Sequence, residues 1–413
     1  MPKFYRTVTI FLLGILSVSC APLTVIPQPT LVVLPDPKIS RRPAMADYSA
    51  YCRVTKPPVY DPGSTEQWQV DLRSCDLSKI DLSASGGDLL YASFDSKTRW
   101  PTLDKMPANF DWQKVLEINK DPGLGMRALH EQGITGEGVG IAIVDQPLLV
   151  DHQEYVDQLR LYEEIQILPD EQSTMHGAAV TSIAVGKTVG VALDADLYYI
   201  GSCTGDWEPE THNFTWNFEY YAQAIHRILE INQSLPKTHK IRVIAMQIGW
   251  HSEQKGYDDI MNAVNEAKAQ GVLVISSSLS ETHDLKFHGM GRSPVSDPND
   301  SWSYQPGLWW ESQFFKKPSL SETLLVPMDS RTTASPTGTE DYVFYREGGW
   351  SWWIPYLAGM YALAAQVKPD ITPEEFWQMA LHTGRTIHHG HNGKDYEFGV
   401  ILDPQALIDK LVK

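Results

Sequence analysis

The sequence predicts an α/β fold organised around a buried parallel strand, with a small repeat-like segment ahead of it. Three stretches carry that expectation. Val139 to Val144 is a nearly continuous apolar run, with glycines before it and Gln146-Pro147 after it. A strand buried on both faces, as parallel strands are, has this pattern. From Met175 to Gly186 the small and apolar positions recur at helical spacing. Gly190-Val191-Ala192 and then Ala195 to Ile200 add a turn and a further strand.

The chain has 413 residues, room for two or three domains with one large core. Its net charge of −17, with no basic cluster, argues against a nucleic-acid partner. Thirteen tryptophans are enough to line part of a groove, although most tryptophan is packing. Cys20, Cys52, Cys75 and Cys203 lack metal-site spacing. Cys52 and Cys75 form either a disulfide, in an oxidising compartment, or two buried thiols.

At the N-terminus, Lys3 and Arg6 precede an apolar run from Val8 to Val18. The run is short for a bilayer span and has the layout of a secretory signal. It ends Leu16-Ser17-Val18-Ser19-Cys20, which resembles a bacterial lipoprotein signal over residues 1–20. That resemblance implies lipidation at Cys20 and a membrane-anchored protein of the bacterial cell envelope. The alternative is an ordinary signal peptide cut nearby. Residues 21–45 are proline-rich and read as an extended tether. In residues 46–112, Asp71-Leu72, Asp76-Leu77 and Asp81-Leu82 recur every five residues. They resemble a few coils of a pentapeptide ladder, short enough to act as a cap on a larger domain at 113–413.

Candidate chemistry comes from three residues. Asp145 ends the apolar strand, the edge where sites collect in open α/β sheets. His176 opens the helical stretch, where a helix N-terminus favours neutral imidazole, suited to a resting general base. Ser351 lies in Gly349-Trp350-Ser351-Trp352-Trp353-Ile354-Pro355, a glycine-flanked turn entering a helix. Backbone N–H groups left unpaired there suit a developing oxyanion.

In that chain order, Asp145, His176 and Ser351 resemble the triad of the subtilisin-like serine peptidases (subtilases). The likeness extends to Gly136–Asp145, His176-Gly177, Gly190-Val191-Ala192, Ile241–Gly249 and Gly349–Gly359. Downstream, Thr372-Pro373 with Glu375 reads as a capped helix start. The resemblance implies a three-layer fold with a central, mostly parallel sheet. It also implies a serine endopeptidase acting on a protein or peptide substrate. Ser351 would attack the carbonyl, His176 would carry the proton, and Asp145 would hold the imidazole. The chemistry needs no cofactor. Subtilases often bind calcium, but the sequence shows no defined calcium loop.

The pattern departs from the family at several points. Where subtilases carry an oxyanion-binding asparagine, this chain has Ser280, with Thr282 and His283 nearby. Ser280 is a candidate donor. Trp350, Trp352 and Trp353 surround the serine and would crowd the groove or wall an aromatic pocket. His388, His389 and His391 read as a solvated glycine loop rather than a metal site. The aromatic insertion Ser301–Phe315 reads as a lid, a partner surface or packing. A second functional reading is therefore a weakly active or inactive subtilase-fold protein that binds peptide or protein partners. A third is self-processing near residue 112, with residues 46–112 as an inhibitory segment.

Overall fold

The computed structural model describes residues 36–208, 210–316 and 322–413. The expected signal peptide, Cys20 and most of the expected tether lie outside the described residues.

Six strands form the central sheet: β1 (Lys38–Ile39), β2 (Gly140–Asp145), β3 (Leu159–Ile165), β4 (Asp196–Ser202), β5 (Ile241–Met246) and β6 (Leu273–Ile275). They run in the order β1-β3-β4-β2-β5-β6, and every pairing is parallel. The predicted strand is thus a central one, flanked by β4 and β5. Helices α1 (Met175–Val185), α2 (Glu219–Ser234), α3 (Tyr257–Ala269) and α4 (Trp350–Val367) complete the layers.

Side-chain alternation along the strands sorts the two faces. Ile141 and Ile143 of β2, with Val243 and Ala245 of β5, join α1 and α4 in one core. Ala142, Val144, Ile244 and Met246 join α2 and α3 in the other. α1 and α4 are apolar nearly all round, as helices enclosed in a core must be. α2 and α3 are amphipathic and keep one side in water.

The five-residue repeat is visible as structure. Leu72, Leu77 and Leu82 are all buried. Their N–H groups donate to Ser93, Arg99 and Lys105 carbonyls, each at 2.8 Å. Each aspartate closes a turn by accepting the N–H two residues on, at Arg73, Ser78 and Ser83. Val70–Asp71 and Ala92–Asp95 then share a four-stranded sheet with Tyr342–Tyr345 and Arg331–Ala334. Residues 37–413 form one compact unit. The boundary expected at 112–113 falls inside it, at the start of helix Trp112–Ile118.

Cys52 and Cys75 are joined by a disulfide that closes a 23-residue separation. Losing the cross-link frees the unfolded chain, so Cys52→Ser is expected to lower stability by about 3 kcal/mol. Denaturant titration of oxidised protein and of the variant checks this. Part of the expected tether is also docked. β1 pairs with β3, and Arg41 grips Glu164 through two bonds of 2.6 Å. The extended, uncompacted reading of residues 21–45 therefore fails from Lys38 onward. The proline spacing could not show that Arg41 and Arg42 meet Glu164 and Asp151. Among the described residues, no helix is long and apolar enough to cross a membrane.

A second sheet runs Tyr304–Pro306, Lys286–Arg292, Thr323–Pro327, Lys394–Ile401, Arg385–His391. It corrects the reading of the histidine cluster, which lies in a strand rather than a loop. Only Asn392 and Gly393, both at positive φ, make the turn. His388 binds Asp395 at 2.9 Å and His391 stacks on Phe315. The aromatic insertion is mainly packing: Tyr304, Trp310 and Phe314 are buried in the main core, and Trp302 is exposed.

Candidate active site

Asp145 is the last residue of β2 and follows the alternation that puts Ile141 and Ile143 on the α1/α4 side. α1 begins opposite it. Thr174 caps that helix by accepting the Gly177 N–H, and Tyr48 accepts the Met175 N–H at 2.9 Å. His176, the second residue of α1, thus reaches Asp145, with Nδ1 and Oδ1 2.7 Å apart. The Gln146 N–H donates to the same oxygen at 2.7 Å. When Nδ1–H donates to the carboxylate, Nε2 carries the free lone pair.

Burial pushes the His176 imidazolium down, but the Asp145 charge and hydrogen bond outweigh it and leave the pKa raised above 6.5. The expectation from the helix N-terminus had the opposite sign. A full carboxylate charge at hydrogen-bond distance overrides the partial charge of a helix end.

Ser351 is the second residue of α4. Gly349 has extended backbone, and its carbonyl accepts the Trp352 N–H at 2.9 Å. Ser351 Oγ lies 3.5 Å from the Gln247 carbonyl at the end of β5, a contact at the limit of hydrogen bonding. The next ring along, Trp352, meets the His176 ring edge-on at 5.9 Å. The structure therefore pairs Asp145 with His176 directly and sets the start of α4 against His176 through Trp352.

The tryptophans divide. Trp352 and Trp353 are buried, against Tyr345 and Phe287 respectively, while Trp350 is 43% exposed. Two of the three pack the helix, and one faces solvent. Ser280 is exposed on the short helix Leu279–His283. The Thr282 hydroxyl contacts the Ser278 carbonyl and His283 Nδ1. Burial pushes His283 down to about 4.

Two residues near the serine escaped the sequence reading. Asp329 is fully buried, and its two oxygens accept the N–H groups of Gly348 and Leu308 at 2.8 and 2.9 Å. It ties the turn before Ser351 to the aromatic insertion. Burial pushes its carboxyl up to about 6, against the pull of Arg346 and the two N–H donors. Asp329→Ala leaves two amides without an acceptor, so a stability loss of about 1–3 kcal/mol is expected by thermal melting. The other is Gln247, whose amide nitrogen and oxygen are both buried and have no hydrogen-bond partner among the described residues. Asp329 has no local sequence signature, because the two N–H groups it accepts lie in other segments of the chain.

Residues 136–321 match the model of the subtilase family, Peptidase_S8. That span holds Asp145 and His176 and ends before Ser351. Together with the six-stranded parallel sheet, it defines a subtilisin-like α/β fold. Among curated proteins, the chain is 28% identical over 165 residues to Subtilisin-like protease 2 of Arthroderma otae, covering 40% of this chain and 35% of that protein. It is 28% identical over 103 residues to Subtilisin-like protease PopC of Myxococcus xanthus (strain DK1622), covering 22% of each. The chain thus spans about a third and about a fifth of the lengths of these relatives. Among solved structures, it is similar to the prenylagaramide maturation protease PagA, with 17% identity and a TM-score of 0.46 over 70% of this chain and 98% of that one. It is also similar to the PatG macrocyclase in complex with peptide, at 15% identity and a TM-score of 0.46, over 70% and 95%.

Proposed function

We propose that this chain is a serine endopeptidase that cleaves peptide bonds through Asp145, His176 and Ser351. The observation that carries the reading is the 2.7 Å Asp145–His176 pair at the C-terminal edge of a parallel sheet, with the Ser351 helix beginning beside it. Ser351 Oγ attacks the scissile carbonyl as its proton passes to His176 Nε2. The C–N bond then breaks, and the same proton goes to the leaving amine. Water repeats the sequence on the acyl-enzyme. Asp145 stabilises the imidazolium formed in each half. A fluorophosphonate probe tests the reading, because it needs an activated serine but no particular peptide. Labelling of the native chain and not of Ser351→Ala supports it; equal inertness on probe and on diverse unfolded substrates overturns it.

The exposed Ser280 in place of an asparagine favours the second reading, a peptide-binding protein with suppressed turnover. Loss of one oxyanion donor lowers turnover by on the order of 10²–10³. Peptide binding without labelling would identify that case. We further propose export and anchoring at the bacterial cell envelope through lipidated Cys20. Incorporation of labelled palmitate, lost in Cys20→Ala, is the expected result.

A further inference from the structure

Residues 38–53 form an arm that leaves the sheet at β1 and passes the start of α1. We propose that this arm sets the position of the catalytic base, with Tyr48 as a positioning residue that fixes the first turn of α1 and so the His176 ring. The inference rests on the peptidase reading and adds to it a residue that acts through His176.

The first observation is where the arm's hydrogen bonds fall. A helix start leaves N–H groups without an intrahelical acceptor. At α1 the capping Thr174 accepts the Gly177 N–H, and the Tyr48 hydroxyl oxygen accepts the Met175 N–H at 2.9 Å. On the other side of Thr174, the Ala44 carbonyl accepts twice from Ser173, from its N–H at 2.9 Å and from its hydroxyl at 2.8 Å. The arm thus holds the residues on both sides of the cap, and His176 directly follows Met175. Thr174 donates its own N–H to the Pro147 carbonyl at 2.9 Å, just beyond Asp145. The place of this short segment decides how the imidazole meets Asp145 and where its Nε2 lies.

The second observation is how firmly the arm is held. β1 pairs with β3, and Arg41 grips Glu164. The Ala46 N–H donates to the Pro336 carbonyl at 3.0 Å, and Cys52 is bonded to Cys75. Tyr48 lies between these last two anchors, so its hydroxyl is a fixed point for the helix start. Burial pushes the Tyr48 phenol up. It therefore stays neutral at working pH and serves as an uncharged acceptor.

The third observation is where the acceptor comes from. Residues 38–53 lie outside residues 136–321, the span matched by the subtilase model, whereas Met175 and His176 lie inside it. The Met175 N–H is therefore satisfied from beyond the matched span. The expected sign is also opposite to that of an inhibitory segment, because removing the bond should lower turnover and not release it.

The test is turnover of a peptide substrate, and the rate of fluorophosphonate labelling, on the full chain. Tyr48→Phe keeps the ring and removes the acceptor. It is expected to lower kcat and the labelling rate by about three- to tenfold with KM within about twofold, because a displaced base costs rate and not substrate affinity. Ile228→Val trims the core under α2, away from α1. It shows what a plain loss of stability does, and it is expected to leave both rates within about twofold. Cys52→Ser, assayed well below its melting temperature, frees one anchor of Tyr48 and is expected to lower kcat in the same direction. Unchanged kcat in Tyr48→Phe and Cys52→Ser would make the arm structural only and overturn the proposal. A rise in kcat would make the arm inhibitory, and a fall matched by Ile228→Val would be a stability effect; either overturns it. A native chain that neither labels nor cleaves overturns the peptidase reading, and this role with it.

Discussion

Ser351→Ala is expected to abolish fluorophosphonate labelling and to lower peptide hydrolysis by at least about 10³-fold, with the melting temperature within a few degrees of the parent. The size follows from what is lost. Without Oγ no acyl-enzyme forms, and His176 has no hydroxyl proton to take. The residual rate is what binding and backbone donors alone can give, since triad members act as a unit and their effects do not add. The fold has little reason to change. Ser351 is only partly buried, and its Oγ contact to Gln247 is a long 3.5 Å. The tight constraints on this turn belong to Gly349, Asp329 and the buried Trp352 and Trp353. A variant that lost activity by unfolding would melt far below the parent. One that retained labelling would place the reactive group elsewhere.

How far the sequence reveals this site depends on how local each signal is. The strand ending at Asp145 and the helix opening at His176 are written in consecutive residues, as apolar continuity and as helical spacing. So is the leucine period at 72, 77 and 82, because each coil repeats the same burial. Signals that require two distant segments are not legible in this way. The aspartate pairing that raises the His176 pKa overrode the local expectation from its helix end. The carboxylate of Asp329 serves Gly348 and Leu308 from the bend between Thr323–Pro327 and Arg331–Ala334, which carries no motif. The histidines at 388, 389 and 391 looked like a loop because Gly390 lies among them. Pairing with Lys394–Ile401 nevertheless supplies the hydrogen bonds of a strand. Arg41 reads as part of a tether until Glu164 is seen opposite it.

Asp145→Asn is the second large effect, expected to reduce kcat by roughly 10⁴-fold, the scale of the equivalent change in a serine-protease triad. An asparagine can offer an N–H where the carboxylate offered an acceptor. His176 then loses the tautomer that leaves Nε2 free, and the imidazolium formed during attack loses its counter-charge. The pH dependence separates this from a packing defect. In the native chain the base must be neutral, so activity falls as pH drops through the raised His176 pKa, which lies above 6.5. In the variant the raising causes are gone while burial remains, so the acid limb of kcat/KM is expected to move to lower pH. Stability should shift with it. A raised histidine pKa contributes stability that is complete below about 6.5 and is lost as pH rises through the folded value. The difference in melting temperature between the two proteins should therefore shrink as pH rises through that window. An acid limb unmoved by the substitution would mean that Asp145 does not govern His176, and the assignment of the pair would fall.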